Sequence, residues 1–81
     1  MYGMKYIVYD CPYKGLMPFI FSNQIQHADF AMQNGLEDKH IRSAGSITFG
    51  STGPKCFGNS LTLSKAVHEN DEYLILQNLE P

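Results

Sequence analysis

Three histidines, His27, His40 and His68, and two cysteines, Cys11 and Cys56, are the side chains that could ligate a metal or pair as nucleophile and base. A structural zinc site takes its thiolate and imidazole ligands in pairs about two to four residues apart, because one short turn must present both to a tetrahedral ion. These residues stand singly, so no metal site is expected. Nucleophilic catalysis needs a Cys or Ser beside a base, and Cys56 with His27 or His68 is the pairing to consider. Nothing in the linear sequence joins them, and a buried, inert thiol is the simpler reading of Cys56. His27 and Asp29 fall near the start of a helix, where a carboxylate complements the helix dipole and an imidazole can donate to a nearby carbonyl or carboxylate. An enzyme built on His27, Asp29 and Cys56 would require the fold to bring all three together. No catalytic residue and no cofactor is assigned.

Two glycine-rich stretches invite an anion-binding reading. Gly45-Ser46-Ile47-Thr48-Phe49-Gly50 has the glycine spacing of a phosphate loop, but Ser51 stands where the lysine is required and the segment has the character of a strand. The following Gly50-Ser51-Thr52-Gly53-Pro54-Lys55 could cradle an anion through its amides and Lys55, although hairpin-turn chemistry accounts for the same residues. The chain also has five tyrosines and five phenylalanines without tryptophan, and rings of this kind can stack on a planar ligand. Ser43, Lys55, Ser60 and Thr62 would supply polar contacts to such a ligand. With His27 and Asp29 they form the set of candidate binding residues.

The elements that must position these groups follow from local pattern. Lys5-Tyr6-Ile7-Val8-Tyr9 and Met17-Pro18-Phe19-Ile20-Phe21 are rich in aromatic and branched residues, and Cys11-Pro12-Tyr13-Lys14-Gly15 between them is turn chemistry. Pro18 lacks an amide proton, which places the second strand at an edge or makes this its start. Ser22-Asn23-Gln24 offers capping oxygens, and Ile25, Ala28, Ala31 and Met32 recur at helical spacing. These predict a helix over residues 24–34, ended by Gly35 in a left-handed cap.

After a charged connector, Ile41 to Phe49 and Lys55 to Ser64 predict a second hairpin, with Leu61 and Leu63 on one face and Ser60, Thr62 and Ser64 on the other. Asn70 as a cap, Asp71 and Glu72 in the first turn, and a stripe of Ile75, Leu76 and Leu79 predict a terminal helix. The order is ββαββα, an α+β fold in which a four-stranded, largely antiparallel sheet carries both short helices on one face. Tyr6 and Val8 lie on one side of the first strand, Ile7 and Tyr9 on the other. That strand is therefore either central and covered on both faces or meets another chain.

With 81 residues, residues 1–81 are read as one domain. Hydrophobic residues at 43% and charged residues at 17% exclude a disordered chain. Six Lys and Arg against eight Asp and Glu give a net charge of −2, and the basic residues are scattered singly, which disfavours phosphate tracking along a nucleic acid. No apolar run approaches the roughly 20 residues of a membrane helix, and the start Met1-Tyr2-Gly3-Met4-Lys5 lacks a secretory pattern. A cytoplasmic location with reduced thiols and no membrane association is the expectation.

Phe21-Ser22, His27-Ala28-Asp29-Phe30-Ala31, Ser43-Ala44-Gly45 and Cys56-Phe57-Gly58-Asn59-Ser60-Leu61, with the late acidic helix, together resemble small accessory proteins of unassigned function encoded by bacteriophages and prophages. The resemblance implies a mobile-element accessory protein and brings no reaction, ligand or catalytic residue with it. Gly45 and Gly58 fall where close backbone approach or a bulge is expected.

The leading expectation is a non-enzymatic protein that binds and modulates another protein through a sheet face or edge, with homodimerisation as a related expectation. The alternative is a small-ligand module with an aromatic-lined site at a dimer interface.

Overall fold

The structure is a computed structural model and describes residues 3–79. The fold is α+β. Four antiparallel strands, β1 (Met4–Cys11), β2 (Gly15–Ser22), β3 (Ile41–Gly50) and β4 (Gly53–Phe57), form a sheet in the order β2-β1-β3-β4. Helix α1 (His27–Gln33) follows β2, a single 3-10 turn at Asp38–His40 leads into β3, and helix α2 (Asp71–Leu79) closes the described chain.

β1 is central because its side chains leave it no exposed face: Tyr6, Ile7 and Val8 are all 0% exposed. Such burial on both sides is what a continuous apolar run specifies. The register Tyr6↔Ile20 and Tyr6↔Gly45, with Ile7↔Phe19 and Ile7↔Ala44, divides the sheet into two faces. On one, Ile7, Phe21, Ile41 and Ala44 pack with Ala31 and Phe30 of α1. On the other, Tyr6, Val8 and Ile47 pack with Ile75 of α2, joined by Leu16, Ile20 and Leu74.

The two helices therefore cover opposite faces, and the expectation of both on one face is corrected. The physical reason is β1 itself: each of its two apolar faces needs its own cover, and burying a side chain such as Ile75 contributes about 1.5–3 kcal/mol.

Helix α1 starts later than predicted, at His27. Ser22 does not cap it: its hydroxyl accepts the Gln24 amide, and its carbonyl accepts from Ile25, in a turn that precedes the helix. The Ala28 amide donates instead to Thr62 Oγ1 at 3.2 Å, so a distant loop caps this helix. The end is as predicted, with Gly35 in the left-handed region at φ 68°. Phe30 stacks on Phe21 with ring centroids 4.0 Å apart and an interplanar angle of 6°.

The fourth strand is shorter than predicted. β4 ends at Phe57, Gly58 turns the chain at φ 76°, and a small hairpin of β5 (Asn59–Ser60) and β6 (Lys65–Ala66) follows beside β3. Residues 61–64 are its turn, so the expected alternation of Leu61 and Leu63 on one strand face is not realised. Leu61 is 84% exposed, whereas Leu63 packs into the α1-side cluster.

Gly45 meets the expectation of close approach. A Cβ there would lie 2.7 Å from Val67 Cγ1 and 2.9 Å from the Phe57 carbonyl oxygen, so the hairpin seats against β3 only over a bare backbone.

In α2, Ile75 is buried but Leu76 is 43% exposed, and the contact expected from Leu76 is made by Leu74. The Leu79 side chain lies outside the described residues. Among those residues no helix is long and apolar enough to cross a membrane.

Candidate functional site

The α1 face holds an open cleft of about 200 Å³ between the sheet, the start of α1 and the turn of the β5–β6 hairpin. Strand pairing sets its floor: Lys5 of β1 lies opposite Ser46 of β3, and both project toward α1. The walls are Gln26 and His27 at the helix start, and Asn59, Leu61 and Thr62 from the hairpin.

Lys5 Nζ donates to the Ile25 carbonyl at 2.9 Å, which fixes the ammonium at the rim. His27 is 5% exposed, and its Nε2 lies 2.9 Å from the Gly45 carbonyl. A carbonyl only accepts, so that nitrogen carries the proton. Burial lowers the His27 pKa, outweighing the Gly45 hydrogen bond, and the nearby Lys5 charge acts in the same direction as burial. The Phe21 ring meets the imidazole edge-on at 5.5 Å. His27 is thus a neutral, anchored wall of the cleft.

The opposite face carries a buried polar network. Asp71, at the first position of α2, is 0% exposed. Its carboxylate accepts from Tyr6 Oη at 2.5 Å, from Ser43 Oγ at 2.9 Å and from the His68 amide at 2.9 Å. Arg42 Nη2 lies 3.6 Å from Asp71 Oδ1 and 3.3 Å from His68 Nδ1. The Asn70 amide also donates to His68 Nδ1 at 3.2 Å, just ahead of α2. Glu72 accepts the Cys56 amide at 2.8 Å. Burial pushes the Cys56 thiol up to about 11, and desolvation with the Asp71 hydrogen bond raises Tyr6 well above the ordinary phenol range. These shifts keep both groups protonated, and the network ties α2 to the sheet.

The expected binding residues divide accordingly. His27 and Thr62 line the cleft, and Ser60 supports it, its hydroxyl 3.3 Å from Thr62 Oγ1 and accepting the Leu63 amide. Ser43 points to the other face and is committed to Asp71. Asp29 and Lys55 are exposed and outside the cleft.

Cys56 pairs with Ile47 and packs on the α2 face, so the sheet stands between it and His27. The convergence that an enzyme of His27, Asp29 and Cys56 required does not occur. Among the described residues no three His, Cys, Asp or Glu side chains are grouped to hold a metal ion.

Sequence reasoning missed Lys5, Gln26, Ser46 and Asn59 in the cleft and Tyr6, Arg42 and Asp71 in the network. Lys5 did leave a signal, being a charged residue next to the fully buried run Tyr6-Ile7-Val8. Asp71 gave none beyond its place at a helix start.

Comparison with known proteins finds no matching family model, no matching curated protein and no matching solved structure.

Proposed function

We propose that this protein acts by binding another protein, and that the outer edge of β2 receives it. The observation behind this reading is that β2 is an eight-residue edge strand, Gly15–Ser22, without a single charged side chain. Its residues Leu16 to Ile20 are all half-buried, leaving apolar surface above and below the unpaired backbone. An edge strand presents a row of free amide and carbonyl groups, and proteins usually blunt it with charge, proline, a bulge or shortness. Here Pro18 alone does so. The other edge is different in kind: β4 has five residues, includes Pro54 and Lys55, and packs against α2.

The occupant that fits β2 is an extended segment of a partner protein, added as a further strand, with apolar side chains meeting both faces of the edge. The accessory role implied by the phage and prophage resemblance accords with this mode. A second copy of this chain pairing edge to edge is the related homodimeric form.

The test is hydrogen exchange of the protein alone and in complex with a co-purified partner, together with native mass spectrometry of Met17→Lys, a half-buried position of β2 outside both core clusters. Protection gained along residues 15–22, and a complex lost in the lysine variant while its fold persists, is the expected result. Protection confined to another surface would end this reading. A mass of two chains in place of a partner would identify the homodimeric form.

A further inference from the structure

We propose that the cleft beside α1 is a binding site for the oxyanion of a small molecule, a phosphate or carboxylate group held by Lys5. This site is separate from the β2 edge, and either proposal can fail without the other.

Charge balance is the first argument. Among the described residues Lys5 is the one cationic side chain of the cleft, and none of those lining it is acidic. Among the described residues no carboxylate forms an ion pair with Lys5. The residue is half-buried, and its hydrogen bond to Ile25 uses one of three ammonium donors. A partly desolvated ammonium with free donors and no counter-charge is stabilised by an anion, through charge-assisted hydrogen bonds that are shorter and stronger than neutral ones.

The lining supplies the second argument. Ser46 stands directly across from Lys5 in the register, and Asn59 and Thr62 project from the hairpin on the far wall. A hydroxyl and an amide group at these positions can donate to further oxygens of the same anion. His27 is not such a donor, since its Nε2 proton is directed at the Gly45 carbonyl.

Size limits the class. A cleft of about 200 Å³ lies below the roughly 300–1,000 Å³ of sites for drug-sized ligands, so it suits a phosphate or carboxylate group on a small body. Among the described residues no tyrosine or phenylalanine lines it, which distinguishes it from the aromatic-lined site expected for a planar ligand.

The test is a titration of the 15N-labelled protein with inorganic phosphate and, separately, with acetate, both at constant ionic strength held by sodium chloride. Saturable amide shifts confined to Lys5, Ser46, Asn59 and Thr62 are expected. Lys5→Met should weaken the binding by about tenfold or more, while Lys55→Met, outside the cleft, leaves it unchanged. Should Lys5→Met fail to fold, Asn59→Ala and Ser46→Ala carry the same comparison. Saturation by phosphate alone or by acetate alone identifies which oxyanion the site takes. Saturation by neither, shifts spread over all the lysines, or binding that survives every cleft substitution would overturn the proposal.

Discussion

Tyr6 Oη lies 2.5 Å from Asp71 Oδ2, a bond that joins the central strand to the first residue of the terminal helix across 65 positions of sequence. Both residues are 0% exposed, so neither can exchange the lost partner for water. Tyr6→Phe keeps the ring and removes the donor, and should cost about 1–3 kcal/mol in urea unfolding. Asp71→Asn should cost at least as much, because one amide oxygen cannot accept from Tyr6, Ser43 and His68 together. A loss under about 0.5 kcal/mol for both would show that the network does not hold α2 in place.

The raised Tyr6 pKa also sets a pH dependence. Its folded value lies above its unfolded one, so the stabilisation is complete below the ordinary phenol value of about 10 and is lost as pH rises beyond it. Wild type should therefore lose stability above about pH 10 more steeply than Tyr6→Phe, as read by denaturant midpoints across that range.

His27 gives the opposite window. Its pKa is lowered in the folded state, so the unfolded chain binds more protons and stability falls as pH drops through the ordinary imidazole value of about 6.5. NMR titration of the ring should place its midpoint below that value. A midpoint above it would contradict the neutral, anchored imidazole described for the cleft.

Gly45→Ala forces a methyl group to within 2.9 Å of the Phe57 carbonyl and 2.7 Å of Val67. Val67 can rotate, but the backbone oxygen moves only with β4. A loss of about 1–3 kcal/mol is expected from thermal or urea unfolding, with the β5–β6 hairpin losing amide protection first.

Cys56, with its thiol pushed up to about 11, should react with iodoacetamide at pH 8 on the order of a hundredfold more slowly than free glutathione, measured by mass spectrometry of the modified peptide. Alkylation at the free-thiol rate would mean that the α2 face opens readily.

Much of the frame was legible from residue types alone. The aromatic and branched residues of β1 call for cover on both faces, from this chain or another, Pro18 fits an edge or a strand start, and Gly35 ends α1 in a left-handed turn. Each is a local rule, acting through steric limits on one residue or the alternation of its neighbours. The two leucines at 61 and 63 show where such a rule fails. Their alternation matches a strand, yet the left-handed Gly58 ends β4 and redirects the chain into the hairpin that seats over Gly45.

Residue types and local spacing were enough for the α+β class and the order of the main elements, and they left β2 either at an edge or beginning at Pro18. Only the folded chain shows that β2 is the sheet's edge, that α1 and α2 lie on opposite faces, that Thr62 caps α1, that Asp71 is satisfied by Tyr6 and Ser43, and that Lys5 faces a cleft with no acid among the described residues. The physical reason is range. Periodicity and turn chemistry act within a few residues, whereas the partner of a buried polar group depends on strand register and helix docking between segments far apart in the chain.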